Sequence, residues 1–271
     1  MSDAVMHKAT ARGLFRNRRR LVTVGRVLFG IGVLLIWQWV SALTGSLVMS
    51  PPTRVFARIV ELIVTGGLYY NLGVTLLEAL VGLTVGTLLG IGIPFLLHAS
   101  PRVTEATLPY FRGAMGVPKL ALAPLFMLWF GIGLASKFAL ITLIVFFLVF
   151  EPAFAGLHAI DQRLVTMARI LGASHWQVTR KIIWKSLLPF IFGALKSALP
   201  WSVAAAVVGE FISGNAGLGF MINQANDLMD ITGVFAGIII VTTLVVTLDI
   251  ALNRVRDQAL SWRAVDSQTT L

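Results

Sequence analysis

Residues 72–97 read LGVTLLEALVGLTVGTLLGIGIPFLL, an apolar run with one charged residue, Glu78. About 20 mostly apolar residues are enough for a helix to cross the hydrocarbon core of a bilayer, and this run is longer. Gly82, Gly86 and Gly90 recur at every fourth position, a spacing that lets another helix approach closely in a membrane. Glycines scattered by chance in an apolar helix are the alternative. Both interpretations predict a membrane-spanning helix.

Similar apolar segments lie on both sides of this run. A shorter, charged segment at 55–64 predicts a helix on the membrane surface. The segment at 108–130 holds Pro109, Pro118 and Pro124. Proline bends helices, and irregular backbone is tolerated where it lines a cavity. This segment is therefore predicted to line a pathway. The chain is therefore an all-α polytopic membrane protein with about six transmembrane helices. Besides 72–97, the predicted spans are 21–43, 108–130, 138–157, 187–211 and 234–252.

The composition excludes a water-soluble globular protein. Apolar residues make up 57% of the chain and charged residues 13%, about half of the usual charged fraction. The net charge of +10 would suggest nucleic acid if the basic residues shared one soluble face. They cluster instead in the two tails and one central loop, as the positive-inside rule describes. We therefore expect a lipid bilayer around the chain and no nucleic-acid partner.

The charge distribution also predicts the organisation of the chain. A basic cytoplasmic tail at 1–20 precedes a transmembrane domain at 21–260, and 261–271 forms a cytoplasmic tail. The connections 98–106 and 158–181 also face the cytoplasm, because the outer connections hold few basic residues. Residues 98–105 are expected to be a short polar loop, and 213–231 a Gly/Asn-rich connection.

Motifs for catalysis are missing from the sequence. No G-x-x-x-x-G-K-[S/T] occurs, so the chain cannot hydrolyse ATP through a P-loop. The four histidines are widely separated and lack the spacing of metal ligands, and cysteine is absent. These observations predict a chain that is not an enzyme and binds no metal or cofactor.

The central loop is the longest polar stretch between spans. Leu164–Ile170 can form a short amphipathic helix, which Gly172 would end in a left-handed cap, and a second helix from Ser174 would continue into the fifth span. Such a helix outside the membrane suits the transmission of force from a soluble partner. An ordinary surface loop is the alternative.

This loop resembles the EAA loop of bacterial ABC import permeases that work with a binding protein. Ala168, Gly172 and the pair Leu188-Pro189 fit that pattern, whereas Thr166-Met167 stands where the family has Glu-Ala. The resemblance extends in register over about residues 50–260 and is similar to the nitrate/sulfonate/taurine branch. Its other motifs are LWFGIG at 128–133, ASK at 135–137, LGAS at 171–174, GLGF at 217–220 and VFAGI at 234–238.

The resemblance implies a type I ABC importer permease in the bacterial inner membrane, with both termini in the cytoplasm. It further implies a second copy of the chain, two ATPase subunits that carry ATP and Mg, and an extracytoplasmic substrate-binding protein. A coupling helix at about 163–176 would dock on the ATPase. The residues implied for this contact are Arg163, Ala168, Arg169, Leu171, Gly172, Ala173 and Ser174.

Charged residues in or near the spans are the candidates for the translocation pathway, because an intramembrane charge usually faces protein or water and has a role. Arg112 and Lys119, next to Pro118, are predicted to line it, although Arg112 could extend to the cytoplasmic surface instead. Lys196 and Glu210 match a basic and an acidic position of the family and could contact substrate or take part in structural Lys–Glu pairing between helices.

The aromatic residues Trp201 and Phe126 could face the same cavity or simply pack between helices. In this branch the third span often carries Arg-Pro-x-Pro-Pro, and Lys119 stands where a proline is expected. The predicted cargo is a small anion such as a sulfonate, nitrate or an aromatic acid, with a heterocyclic vitamin precursor as a further option. A stand-alone secondary transporter driven by an ion gradient is the alternative function, although its internal repeats of broken helices are not evident.

Overall fold

The computed structural model describes residues 3–45 and 48–262, with side chains described from Val22 onward except at Ser213. Within these ranges the chain folds only into helices and turns, as the apolar spans predict. Helix α1 runs over Asp3–Thr44, and its apolar part, Val22–Thr44, is long enough to cross a membrane but mostly exposed. The helices that follow are α2 (Pro52–Val64), α3 (Gly67–His98), α4 (Pro101–Met115), α5 (Ala123–Phe130) and α6 (Leu134–His158).

The second half of the described chain begins with α7 (Gln162–Ile170), which lies outside the apolar spans. One turn, α8 (His175–Val178), passes through a π-helical segment, Thr179–Ile183, into α9 (Trp184–Ser213). Two helices, α10 (Leu218–Asp227) and α11 (Ile231–Ala259), complete the fold. Among the described residues, five helical segments are long and apolar enough to span a membrane, and a sixth span results if α4 and α5 count as one.

The centre of the bundle is α6, which packs between α3 and α9. The predicted close approach is confirmed, because Gly82, Gly86 and Gly90 of α3 all face α6. Ile141 lies against Gly82, Val145 against Gly86 and Val149 against Gly90. These α6 side chains are fully buried, as are Leu140 and Phe150 on the same helix. The glycine stripe therefore sets how deeply α3 sits on α6.

The third span is not one straight helix. Helix α4 ends at Met115, a 3₁₀ turn covers Lys119–Leu122, and α5 leaves at 84° to α4. Pro118 lies at the break, because proline donates no backbone hydrogen bond and disfavours helical backbone at the residue before it. The prediction of a span distorted by proline is confirmed.

Two segments that the sequence predicts as loops contain helices instead, so those two predictions are wrong. Helix α4 begins at Pro101, which a first helical turn accommodates, so only Ala99 and Ser100 separate α3 from α4. Residues 213–231 contain α10, which buries Leu218 and Ile222 against the bundle.

Candidate functional site

The segment 161–177, which we call the α7 element, holds the short helix α7 between a capped start and a fixed turn. Asp161 caps the helix by accepting a hydrogen bond from the Arg163 N–H at 2.8 Å. Beyond Ile170 the chain reverses at Gly172, whose φ of +83° suits glycine because it lacks a Cβ. Ser174 and Gln177 then form a reciprocal capping box at the start of α8. The predicted helix, glycine stop and new helix start are all present.

One face of α7 anchors it to the bundle. Val165 is buried, and Ala168 and Ala173 are half-buried beside it. The Ala173 N–H donates to the Ala168 carbonyl at 3.0 Å, which fixes the turn. The cluster behind these side chains consists of Leu157, Ile160, Val178, Leu187 and Ile191.

The other face of α7 carries large apolar side chains exposed to the surroundings. Ile170 and Leu171 are about four-fifths exposed, at 81% and 80%. A helix outside the lipid that keeps apolar side chains uncovered is typical of a surface that meets another protein. We call these residues the exposed stripe: Leu164, Met167, Ile170 and Leu171.

The predicted coupling residues divide between these two faces. Ala168 and Ala173 belong to the buried anchor, Leu171 to the exposed stripe, and Gly172 and Ser174 to the turn. Arg163 and Arg169 are exposed on α7 itself. The structure thus brings all seven residues together in one element.

A chamber of about 350 Å³ lies at the break between α4 and α5. Predicted pathway residues Pro118 and Lys119 line it, and so does Trp201. Phe126 is not part of its wall: it packs on the core and stacks on Phe130 at 5.8 Å between ring centroids. The other wall residues are Met115, Leu120, Ile144, Phe147 and Leu148, so the chamber is apolar with a single lysine.

Lys119 is held by fixed partners in this chamber. Its Nζ donates to the Met115 carbonyl at 2.8 Å and to the Val117 carbonyl at 3.3 Å. The Phe147 ring centroid is 4.6 Å away, within the range of a cation–π contact. Carbonyls at a helix C-terminus lack partners within the helix, so Lys119 stabilises the end of α4 while its charge remains at the chamber wall.

Arg112 lies one turn from the chamber, on the side toward α7. Its guanidinium pairs with Glu151 of α6 at 3.1 Å, and both side chains are at least one-third exposed. Exposed pairs of this kind contribute little to stability. Glu151, which the sequence analysis did not single out, balances the charge of Arg112 and leaves Lys119 as the cation that the chamber presents.

Lys196 and Glu210 lie far apart on α9, and neither forms a Lys–Glu ion pair among the described side chains. Lys196 is exposed on α9, and no polar partner lies within reach in the part of the chain with described side chains. Glu210 is buried at the far end of the same helix, where Oε1 accepts from the Thr75 hydroxyl and Oε2 from the Gly219 N–H, both at 2.7 Å. Glu210 therefore lies inside the protomer, and not on an open wall.

Among the described side chains, a buried lysine–glutamate pair between helices is formed by Lys137 and Glu78. Lys137 Nζ donates to Glu78 Oε1 at 2.8 Å, and both side chains are buried. Together with Glu210 they form what we call the buried charge cluster, at the end of the bundle opposite α7. The sequence offers one indication of this cluster, because each of its residues is an isolated charge inside an apolar helix.

Helix α2 closes that same end of the bundle. Arg58 pairs with Glu61 at 2.8 Å and with Asp230, the N-cap of α11, at 3.5 Å. The hydrogen bond with Glu61 is the main reason that the pKa of Arg58 is raised above its usual value. The surface helix predicted at 55–64 is thereby tied to the bundle.

These features define a membrane permease: a broken helix borders a chamber among membrane-spanning helices, and a rigid helix outside them offers an apolar face to a partner. The chain belongs to the family described as the binding-protein-dependent transport system inner membrane component, whose sequence profile matches residues 82–259. It is the permease subunit of an ABC importer.

Individual relatives agree with the family. The chain is 31% identical to the putative aliphatic sulfonates transport permease protein SsuC of Bacillus subtilis, over 91% of this chain and 90% of that protein. It is 30% identical to the formylaminopyrimidine transport permease protein ThiX of Halalkalibacterium halodurans, over 87% of this chain and 94% of that one. The alternative of a stand-alone secondary transporter is wrong, because the relatives are ABC permeases.

A solved structure confirms the fold. The inward-facing methionine ABC transporter MetNI superposes with a TM-score of 0.59, covering 70% of this chain and 94% of that one at 20% identity. The predicted type I importer fold is therefore correct.

Proposed function

We propose that two copies of this permease form the pathway of an importer, and that each copy docks an ATPase subunit on its exposed stripe. ATP and Mg²⁺ are bound by those partner chains, and this chain contributes no cofactor site. Closure of the two ATPase subunits moves the two α7 elements, and the permeases alternate between an inward and an outward opening.

The exposed stripe is the observation that carries this proposal. Each of its side chains leaves apolar area in water, and covering that area contributes about 25 cal/mol per Å². Since the anchor face of α7 is packed on the bundle, a force applied to the stripe is transmitted directly to the ends of α6 and α9.

Met167→Glu tests the docking. A charge in the middle of the stripe should abolish co-purification of the ATPase and substrate-stimulated ATP hydrolysis, while the permease still folds. Thr166→Glu is the matched control, because it places the same charge on the same helix, where the family carries glutamate, and it should retain both activities. Equal loss in both variants, or in neither, refutes docking on the stripe.

The chamber suits a small organic anion with an apolar body. Phe147, Leu148 and Trp201 provide apolar contact, and Lys119 provides one positive charge. A sulfonate or an aromatic acid combines these two properties, and SsuC is described as a transporter of aliphatic sulfonates. The binding protein would deliver this solute at the end of the bundle opposite α7.

Lys119→Met tests the charge. It keeps a long side chain at the break but removes the cation, so uptake of an organic sulfonate by proteoliposomes should fall about tenfold or more, as expected for a lost interaction of ~1.4 kcal/mol or more. Lys119→Arg should retain most of the uptake, and basal ATP hydrolysis should be unchanged in both variants. Undiminished sulfonate uptake with methionine at 119 contradicts an anion pathway through the chamber.

We propose that α7 and both termini face the cytoplasm. The absence of cysteine makes labelling of a single introduced thiol informative. In intact cells, Asn226→Cys on α10 should react with a membrane-impermeant maleimide, and Gln177→Cys on α8 should react only after permeabilisation. The reverse pattern would falsify this orientation.

A further inference from the structure

The buried charge cluster brings three ionisable side chains from three helices together. Glu78 is fully buried on α3, Glu210 is 1% exposed on α9, and Lys137 is 4% exposed on α6. Thr75, one helical turn before Glu78 on α3, donates to Glu210 at 2.7 Å, and Lys137 donates to Glu78 at 2.8 Å, so the two carboxyl groups are close neighbours. Two buried acids therefore lie beside one buried base.

Among the residues whose side chains the structure describes, no other charge balances this excess of acid. On α2, which also packs on α3, Arg58 is engaged with Glu61 and Asp230. On α9, Lys196 lies fourteen residues from Glu210, about 21 Å along the helix. Helix α10, which packs on α3 and α9, contributes backbone N–H groups and no charged side chain to the contacts of the cluster.

The hydrogen bonds of the cluster leave one oxygen without a partner. Glu78 Oε1 accepts a hydrogen bond from Lys137. Glu210 Oε1 accepts one from Thr75, and Glu210 Oε2 accepts one from the Gly219 N–H. Glu78 Oε2 is buried and has none. A buried carboxylate oxygen without a donor is costly, and two neighbouring ionised carboxylates repel each other.

We propose that Glu78 and Glu210 share a single proton, so that the cluster is a buried proton-binding site of zero net charge. One proton between the two carboxyl groups supplies the missing donor and leaves one negative charge to match Lys137. The shared proton thus removes the unpaired oxygen and the repulsion between the two carboxylates, and no further ion is needed.

The proton-binding site also fixes the turn that leads into α10. The Gly217 N–H donates to Asn71 Oδ1 and the Leu218 N–H to the Thr75 hydroxyl, each at 2.8 Å, and Thr75 in turn donates to Glu210. A cavity of about 390 Å³, lined by Glu78, Lys137 and Asn215 among others, offers the route by which a proton reaches the site from outside the bundle.

Infrared spectroscopy tests the proposal directly. The full-length chain in lipid nanodiscs, exchanged into D₂O at neutral pH, should show the C=O stretch of one protonated carboxyl per chain, and ¹³C-glutamate labelling should shift that band. Glu78→Gln and Glu210→Gln should each remove it, because the surviving carboxylate then pairs with Lys137 and stays ionised. Glu61→Gln, a change at an exposed acid on α2, should leave the band intact.

Thermal unfolding supplies an independent measurement. Each single glutamine variant should keep a melting temperature near that of the unmodified chain, because an amide can donate where the shared proton did. The double variant should melt far lower than the sum of the single shifts predicts, since Lys137 then has no anion. The proposal is overturned if the unmodified chain lacks the band, if either single variant retains it, or if the double variant is merely additive.

Discussion

Replacing Gly86 by alanine should loosen the packing of α3 on α6. A Cβ built at Gly86 would lie 2.7 Å from Val145 Cβ and 2.8 Å from the Thr142 carbonyl oxygen. Both distances are shorter than van der Waals contact, and one of the two partners is backbone that cannot rotate away. The helices must therefore move apart, which opens gaps along the whole stripe.

The magnitude follows from comparison with a second glycine of the same helix. A Cβ at Gly92 would have no neighbour within 4 Å, so Gly92→Ala should gain about 0.5–1 kcal/mol from helix propensity alone. Gly86→Ala gains the same propensity but adds an overpacking cost of about 1–3 kcal/mol. The difference between the two variants isolates that cost.

Reversible unfolding in mixed detergent micelles, followed by tryptophan fluorescence, gives both free energies of unfolding. Gly86→Ala should be less stable than Gly92→Ala by about 1–3 kcal/mol. Gly90→Ala, where Val149 Cβ lies 2.8 Å from the added atom, should behave like Gly86→Ala. If all three variants are equally stable, the glycine stripe does not set the contact between α3 and α6.

Three further variants examine the α7 element and the charge beside the chamber. Ser174→Ala removes the capping box and should lower the free energy of unfolding by about 1 kcal/mol, with reduced coupling between ATP hydrolysis and uptake. Gly172→Ala should cost about 1–2 kcal/mol because of its left-handed backbone, whereas Gly193→Ala on α9, with ordinary backbone and free space, should not destabilise. Arg112→Gln should change stability by less than about 1 kcal/mol, since its pair with Glu151 is exposed; a larger loss in thermal unfolding would mean that the pair is structural.

Membrane spans are predictable from sequence because length and apolarity decide them. The bend of the third span is not, since prolines mark where a helix is weak but do not set a direction. The position of α4 depends on contacts distant in sequence, such as Phe111, which stacks on Phe150 of α6 at 4.8 Å between ring centroids. Helix α10 was missed because its glycine and asparagine suggested a loop, although Leu218 and Ile222 are four residues apart and both buried.

The candidate sites show the same division. The α7 element is local in sequence, so its helix, glycine turn and capping box could be predicted from residues 162–177. The partners of Glu78 and Glu210 could not, because they come from helices that lie far apart in the chain. The pairing of Glu78 with Lys137 depends on how α3 and α6 are aligned, and the glycine stripe imposes that alignment.

Helix α6 joins the two ends of the molecule as a single rod of about 37 Å, at 1.5 Å for each of its 25 residues. It carries Lys137 near one end and leads into α7 at the other, and it is clasped by α3 and α9 along its length. Because α3 and α9 hold α6 on both sides, we expect a displacement at one end of α6 to appear at the other. The connections before and after α6, residues 131–133 and 159–161, are the places about which α6 and the packed helices α3 and α9 can pivot.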